Sequence, residues 1–219
     1  LPVAYHHVVF TLPHQFNHWA TVHPEALYGG LFKVVWETLS AFANKRHHLA
    51  GKLGMMCVLH TWGQTLSRHI HLHCLIPAGV LTVNNQWQGA KKAHYLFPVK
   101  ALSVKYRGKM LAYLRERADE GALAQLTVDD IAKTLREAAQ LPWVVYSKPV
   151  ITHADSVVKY LARYCNRVGV SESRLSLNDE GVVELNYLNN RTGQRQSMTC
   201  SSAELLRRFL LHVLPKGFM

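Results

Sequence analysis

The sequence is poor in cysteine and in acidic residues. Its 219 residues include four cysteines, and no two of them form a CxxC pair. This spacing argues against a zinc ribbon and against a disulfide framework, and it fits a reducing cytoplasm. Asp and Glu number 14 against 25 Lys and Arg, which gives a formal net charge of +11. Such an excess is typical of proteins that bind a polyanion, and nucleic acid is the natural candidate.

Long apolar runs are also missing. No stretch reaches the roughly 18 residues of a membrane-spanning helix, and no signal peptide is visible, so we expect no membrane partner. The hydrophobic content of 48% and the charged content of 18% suit one globular domain. The chain begins at Leu1 rather than with methionine, and we therefore expect it to be part of a longer protein.

Histidine recurs at alternate positions in one short segment. His69, His71 and His73 are each followed by an apolar residue, and the segment ends at Pro77. Successive side chains of a β-strand point to opposite faces, so the three imidazoles would share one face. Two imidazoles spaced i, i+2 on a strand can hold one metal ion. A half-buried strand with incidental histidines is the alternative interpretation.

A second strand is predicted just before the histidine segment. Residues 51–63 have the composition of a strand, and a polar link at 64–68 follows them. We expect the two strands to form an antiparallel hairpin that turns near Ser67 and Arg68. The expected main sheet therefore contains these two strands side by side.

That expected register selects a third metal ligand. It places Gln64 opposite His71 and Trp62 opposite His73, so the amide oxygen of Gln64 is a candidate ligand. A turn residue that only forms hydrogen bonds is the other interpretation of Gln64. Two further histidines are alternative third ligands: His60 and His69.

Two tyrosines occur at helical spacing further along the chain. Tyr160 and Tyr164 fall in a predicted helix from about Ala154 to Arg167, so they would lie one turn apart on one face. Core packing is the ordinary use of such a pair. Next to a metal-polarised phosphate, a tyrosine hydroxyl could instead form a phosphotyrosine intermediate. Lys148 precedes this helix and could hold a phosphate or simply aid solubility.

The other segments predict a mixture of helices and strands. Strands are predicted at 3–12 and 143–148, a short hairpin at 80–87, and helices at 24–46, 98–120 and 127–140. The last two helices look like an insertion between strands of the sheet. The basic face of helix 98–120 could contact DNA or be a solvated surface.

The C-terminal part has a different pattern. Three alternating segments after residue 171 predict a β-meander. A capping box from Ser201 to Glu204 then predicts the start of a last helix, which runs from Leu205 to Leu214.

Several of these segments resemble a known family. The segment from His71 to His73 resembles the His-hydrophobe-His motif of the HUH nucleases, and the segment from Tyr160 to Tyr164 is similar to the paired-tyrosine motif of their two-tyrosine branch. Longer blocks resemble, in order and spacing, bacterial rolling-circle transposases of the insertion sequence ninety-one type. These blocks cover nearly the whole chain: residues 10–13, 59–64, 69–77, 143–148 and 208–218.

The resemblance implies an α+β fold with a central five-stranded antiparallel sheet flanked by helices. The histidine strand would be central, with the tyrosine helix packed beside it. The expected domains are a catalytic domain at 1–170, with the helical insertion at about 98–141, and a C-terminal β-meander and helix at 171–219 packed on it.

The resemblance also implies a function, which is transposition by nicking and rejoining single-stranded DNA at the element ends in the bacterial cytoplasm. A divalent cation, Mg²⁺ or Mn²⁺, would be held by His71, His73 and a third ligand. Tyr160 or Tyr164 would form a 5′-phosphotyrosine intermediate. Three residues are expected to contact the DNA: Trp62, Lys148 and Arg163.

Two departures from the family predict a trimmed catalytic domain. The usual N-terminal cysteine-rich zinc module is absent, and the chain stops just after Phe218, where the family continues.

Three rival functions share part of this pattern. A relaxase or replication initiator would use the same chemistry. A non-catalytic module that binds single-stranded DNA would not need the histidine and tyrosine motifs. A metal-dependent hydrolase that releases a free 5′-phosphate would leave the tyrosines without a role.

Overall fold

The computed structural model of the chain describes residues 3–44, 51–90, 96–151, 169–189 and 192–213. The fold is α+β, with antiparallel sheets and helices, as the sequence predicts. The predicted tyrosine helix at 154–167, with Tyr160, Arg163 and Tyr164, lies outside the described residues.

Nine strands and five α-helices are described. The strands are β1 (Tyr5–Thr11), β2 (Met56–Trp62), β3 (Arg68–Pro77), β4 (Gly79–Leu81), β5 (Trp87–Gly89), β6 (Val145–Ile151), β7 (Leu175–Leu177), β8 (Val182–Asn189) and β9 (Gln194–Ser201). The helices are α1 (Trp19–Val22), α2 (Pro24–Asn44), α3 (Val99–Asp119), α4 (Val128–Gln140) and α5 (Ser202–Leu210). None of these helices is both long enough and apolar enough to span a bilayer.

The main sheet has the strand order β2-β3-β1-β6, and all of its pairs are antiparallel. The histidine strand β3 is an interior strand, as expected. The expectation of five strands is wrong for the described residues, which form four. The hairpin predicted at 80–87 does not extend this sheet, because β4 and β5 pair with each other as a separate ribbon.

Alternation along β3 gives the main sheet two different faces. Ile70, Leu72, Cys74 and Ile76 are fully buried on one face, where they join a single core with α2 and α3. The other face, which we call the histidine face, carries His71 and His73. The apolar half of the alternating pattern therefore fixes the sheet against the helices, and the histidines are left on the opposite side.

Helices α3 and α4 lie between β5 and β6 in the sequence, where the insertion was expected. They are part of the main core, because the apolar residues of α3 pack against the sheet. Phe10 of β1 meets the buried ring of Tyr106 edge-on at 5.1 Å between centroids, and Tyr106 meets Trp143 at 5.1 Å. Thr127 caps α4 by accepting a hydrogen bond from the amide of Asp130.

The strand predicted to end before Pro149 continues through it. Among the described strands β6 lies at the edge of the sheet, with a register shift beside His6. Proline is tolerated there because an edge strand has backbone groups that need no partner strand.

The C-terminal residues form the predicted β-meander, a three-stranded antiparallel sheet in the order β7-β8-β9. Helix α5 follows it directly. Ser201 caps α5 by accepting a hydrogen bond from the amide of Glu204, which confirms the predicted capping box, and the helix begins at Ser202, three residues before the predicted Leu205. The described helix ends at Leu210, four residues before the predicted end.

Candidate metal centre

Three histidines come together on the histidine face. His60 of β2 joins His71 and His73 of β3, and one ligand atom from each lies within 4.8 Å of the other two. The ring centroids are 4.5 Å apart for His60 and His73, 4.8 Å for His71 and His73, and 5.4 Å for His60 and His71. Three convergent imidazole nitrogens are a donor set that can bind a divalent cation.

The register of the hairpin explains why His60 joins the other two. His60 lies directly opposite His71, and Val58 lies opposite His73, so all four side chains are on one face. Opposite residues in an antiparallel pair have their Cβ atoms about 5 Å apart, which is close enough for two imidazoles to share one ion.

The register expected from the sequence is wrong. It paired Gln64 with His71 and Trp62 with His73, whereas β2 ends at Trp62, which lies opposite Arg68. Gln64 therefore belongs to the turn after β2 and has no partner position on β3. His60 lies opposite His71 instead, and it is one of the two alternative third ligands predicted from the sequence.

The protonation of His71 suits a metal ligand. Its Nδ1 lies 2.7 Å from the backbone carbonyl oxygen of His69. A carbonyl only accepts, so Nδ1 carries the hydrogen and Nε2 keeps a free lone pair. Burial lowers the pKa of His71 from 6.5 to about 3, so its imidazole is neutral at neutral pH. A neutral imidazole with one fixed lone pair is the form that binds a metal.

His69 is on the same face but is not part of the three-histidine group. Its ring centroid lies 4.9 Å from that of His71, and its side chain is exposed. It contacts the site through this ring and through its backbone carbonyl, which lies 2.7 Å from Nδ1 of His71.

Another histidine, which the sequence analysis did not select, borders the group. His7 of β1 is buried and lies on the histidine face, with its Nε2 2.8 Å from Nδ1 of His73. Burial lowers the pKa of His7 to about 4. The sequence does place His7 in a predicted strand. It does not show which strand lies beside it, so His7 could not be assigned to the site.

Two of the three residues expected to contact DNA, Trp62 and Lys148, are among the described residues, and both lie beside histidines of the histidine face. The indole of Trp62 stacks on the His60 ring at 4.7 Å between centroids and 19° between planes. Lys148 of β6 lies opposite His7 in the register and is exposed. Tyr146, two residues earlier on the same face, is 51% exposed and meets the His7 ring edge-on at 6.4 Å.

The described residues from 169 to 213, which we call the C-terminal unit, include the meander and α5 and hydrogen-bond the turn between β2 and β3. Three successive carbonyls of this turn each accept a hydrogen bond from the unit. The carbonyl of Gln64 accepts from Arg174, that of Thr65 accepts from Arg208 at 3.2 Å, and that of Leu66 accepts from Nε2 of His212 at 3.0 Å. The turn that joins the two ligand-bearing strands is therefore held from outside the main sheet.

A small apolar cavity of about 150 Å³ lies at this junction. It is lined by residues from the hairpin and from the C-terminal unit: Trp62, Leu66, Gly169, Phe209, His212 and Val213. Because Trp62 also stacks on His60, this cavity shares a wall with the candidate metal centre.

Comparison with solved structures gives no fold assignment. A structure titled "Bacterial tRNA(HIS) Guanylyltransferase (Thg1)-Like Protein in complex with ATP" matches 97% of the chain and 91% of its own chain at 12% identity. The TM-score of 0.31 is too low to support an argument.

Comparison with sequences is informative. The chain is 40% identical over 228 residues to "Putative transposase y4qJ" of Sinorhizobium fredii, covering 100% of the chain and 57% of that protein. It is 28% identical over 229 residues to "Transposase for insertion sequence element IS801" of Pseudomonas savastanoi pv. phaseolicola, covering 97% of the chain and 51% of that protein. The chain thus spans about half the length of the curated relatives it matches.

The family profile Y2_Tnp, described as "Putative transposase", matches residues 54–219. This match covers about three quarters of the chain and includes β2, β3 and the C-terminal unit. The chain therefore belongs to the Y2_Tnp family of transposases.

Proposed function

We propose that this chain is the part of a DNA transposase that nicks and rejoins single-stranded DNA through a 5′-phosphotyrosine, with a divalent cation on the histidine face. The observation that carries the proposal is the convergence of His60, His71 and His73 in a member of a transposase family. The fold would then be of the HUH type, with His71 and His73 as the paired histidines of the motif.

The donor set fits a divalent cation and favours one of the two suggested by the sequence. The group consists of three neutral nitrogen donors, whereas Mg²⁺ prefers oxygen ligands and retains its waters. We therefore propose Mn²⁺ in preference to Mg²⁺, with His60 as the third ligand in preference to Gln64. When bound there, the cation would polarise the scissile phosphate and offset the negative charge that develops on it.

The surface around the metal centre has the features of a path for a single strand. Trp62 and Tyr146 offer aromatic surface on which bases can stack, and Lys148 offers a cation for a phosphate. The formal net charge of +11 adds a long-range attraction for any polyanion. We propose that the DNA strand crosses the histidine face between β2 and β6, and that Arg163 adds a further phosphate contact.

The described residues on either side of the predicted tyrosine helix support the proposal that this helix lies near the metal centre. β6 ends at Ile151, which pairs with Tyr5, whereas a Cβ at Gly169 would touch Leu66 and Trp62. These points are at opposite corners of the main sheet, about 33 Å apart from strand spacing and rise. The 14-residue helix expected from the sequence, with short extended flanks, would span about the same length. Since α2 and α3 cover the core face, we propose that this helix crosses the histidine face.

The proposed chemistry needs no outside energy source. The phenolic oxygen of Tyr160 or Tyr164 attacks the phosphorus in line, and the bond to the 3′ oxygen breaks as the new one forms. The phenol loses its proton, and the departing oxygen becomes a 3′-hydroxyl. A phosphodiester replaces a phosphodiester, so a 3′-hydroxyl can reverse the step and join strands. Two tyrosines would allow two strand ends to be held at once.

The covalent intermediate can be tested directly. Single-stranded oligonucleotides tiled across the ends of the element, labelled at their 3′ ends, are incubated with the chain and Mn²⁺. We expect a labelled complex that survives SDS, because the 3′ fragment carries the phosphotyrosine. EDTA should abolish the complex, and the double change Tyr160→Phe with Tyr164→Phe should abolish it while leaving DNA binding intact.

The control is His14→Leu, which removes an exposed histidine that is not part of the three-histidine group and should leave the complex unchanged. A complex that survives the double tyrosine change would refute the tyrosine assignment. Cleavage that releases a free 5′-phosphate would support a metal-dependent hydrolase instead, and binding without cleavage in Mn²⁺ would support a non-catalytic module. A relaxase or replication initiator would give the same complex, and here the transposase relatives favour transposition.

A further inference from the structure

His7 stands outside the three-histidine group but contacts one of its members. It comes from β1, and its Nε2 lies 2.8 Å from Nδ1 of His73. The two ring planes are within 10° of parallel, with centroids 5.0 Å apart. Stacked rings would be separated by roughly 3.5 Å, so a nitrogen contact of 2.8 Å places the rings edge to edge. This is a hydrogen bond in a shared plane.

Only one direction of this hydrogen bond is compatible with a metal on His73. If His7 donated, Nδ1 of His73 would accept, and the neutral His73 ring would carry its hydrogen on Nε2. Both nitrogens would then be occupied, and neither could bind a metal. If His73 donates from Nδ1, its Nε2 carries no hydrogen and has a lone pair that can bind a metal.

His71 shows the same arrangement with a different acceptor. Its Nδ1–H donates to the carbonyl oxygen of His69, which leaves Nε2 free. A carbonyl has no hydrogen to give, so the tautomer of His71 is fixed by the backbone. His73 has a side chain at the corresponding place, and its tautomer depends on that side chain.

We propose that His7 is the positioning residue for His73, accepting the Nδ1–H of His73 so that its Nε2 faces the cation. The proposal rests on the metal site of the proposed function. His7 does not touch the cation or the DNA in this role. It fixes the ring plane and the tautomer of a ligand, and it is well suited to do so because only 8% of its own surface is exposed.

The first test needs no metal. In the full chain with ¹⁵N-labelled histidine, long-range ¹H–¹⁵N spectra distinguish an imidazole protonated at Nδ1 from one protonated at Nε2. We expect His73 to be protonated at Nδ1 in the wild-type chain. In His7→Leu, which has similar bulk but no acceptor, we expect a mixture of the two tautomers. A wild-type His73 protonated at Nε2 would overturn the proposal.

The second test measures Mn²⁺ affinity by electron paramagnetic resonance. His7→Leu should bind Mn²⁺ about 10- to 100-fold more weakly, which is the usual loss when a partner of a metal ligand is removed. His7→Gln should recover most of the affinity, because its amide oxygen reaches about as far as Nε2 and can accept the same hydrogen. His14→Leu is the control for the loss of any histidine.

The outcomes separate the two proposals. Unchanged affinity in His7→Leu, with tight binding in the wild-type chain, would refute the role of His7 and leave the metal site standing. Equal losses in His7→Leu and His7→Gln would also refute it, since a purely structural role explains them. If the wild-type chain binds no Mn²⁺, both the metal site and the role of His7 are wrong.

Discussion

Buried histidines dominate the chemistry of this chain at the scale of single residues. The tautomers of two of the three ligands depend on what Nδ1 contacts, which is a carbonyl for His71 and another imidazole for His73. The pattern of alternate histidines predicts the shared face, because strand geometry has a period of two. It cannot predict His7 and His60 as neighbours, because they come from other strands whose register depends on tertiary structure.

The same burial makes the metal-free chain sensitive to acid. Burial lowers the pKa of His71 to about 3 and that of His7 to about 4, whereas both titrate near 6.5 when the chain is unfolded. Below pH 6.5 the unfolded chain therefore binds protons that the folded chain does not bind. The free energy of unfolding should fall with pH by up to about 1.4 kcal/mol per pH unit for each such histidine.

Urea unfolding at pH 7, 5.5 and 4.5, with a chelator present, measures this dependence. The His7→Gln variant should lose stability less steeply over this range, because it has one buried histidine fewer. If the free energy of unfolding changes equally with pH in the variant and the wild-type chain, His7 is not held neutral by burial.

At the scale of elements, the hairpin of β2 and β3 shows where sequence reasoning succeeds and fails. Both strands were predicted, but the turn was placed two or more residues too late. The amide of Gly63 bonds the carbonyl of Ser67 at 2.8 Å, and Leu66 within the turn has a positive φ of 55°. Leu66 is fully buried, although it lies in a polar segment. Its burial against other parts of the chain overrides the local signals that favoured a turn at Ser67 and Arg68.

The hydrogen bonds between the C-terminal unit and this turn predict that two adjacent arginines of α5 contribute unequally to stability. Arg208 bonds Glu204 and also donates to the carbonyl of Thr65, and its side chain is 25% exposed. Replacing Arg208 with Met should lower the free energy of unfolding by about 1–2 kcal/mol, because a partly buried carbonyl loses a charged donor. Urea unfolding measures the change.

Arg207 provides the matched control. It bonds the same Glu204 carboxylate, but its side chain is 60% exposed, and none of the hydrogen bonds among the described residues joins it to the turn. Arg207→Met should therefore have much the smaller effect. Similar losses in the two variants would mean that the turn contact contributes nothing to stability.

The adjacent glycines of α2 allow a similar comparison. Gly29 is exposed with open space around its Cα, whereas a Cβ at Gly30 would overlap the Tyr113 ring of α3. Gly29→Ala should raise stability by about 0.5–1 kcal/mol, because alanine loses less backbone entropy in a helix. Gly30→Ala should lower it by about 1–3 kcal/mol, since the two helices must separate or Tyr113 must move.

Thermal unfolding of the two alanine variants distinguishes these effects. If Gly30→Ala is as stable as Gly29→Ala, the close approach of α2 and α3 does not depend on the missing side chain. Glycine has a low helix propensity, so in the sequence alone the pair counts against a helix at this point. Its packing role is visible only once α3 is in place.

At the scale of the whole molecule, the chain combines a sheet with two different faces and a C-terminal unit that holds one of its turns. Most element boundaries and the meander were predicted because they follow from local periodicity, and the α+β class was predicted from the family resemblance. The four-strand sheet and the contact between the meander and the hairpin were not, because they depend on which segments meet in space. The family assignment agrees with the resemblance seen in the sequence at the level of a transposase.

The central feature of the proposed site is a cation held by three imidazoles, one of them from β2. Electron spin-echo envelope modulation of bound Mn²⁺ counts coordinated imidazole nitrogens directly. We predict one Mn²⁺ per chain with three imidazoles in the wild-type chain, two in His60→Leu and three in Gln64→Leu. Three imidazoles retained in His60→Leu, or Mn²⁺ bound without any imidazole, would contradict the account.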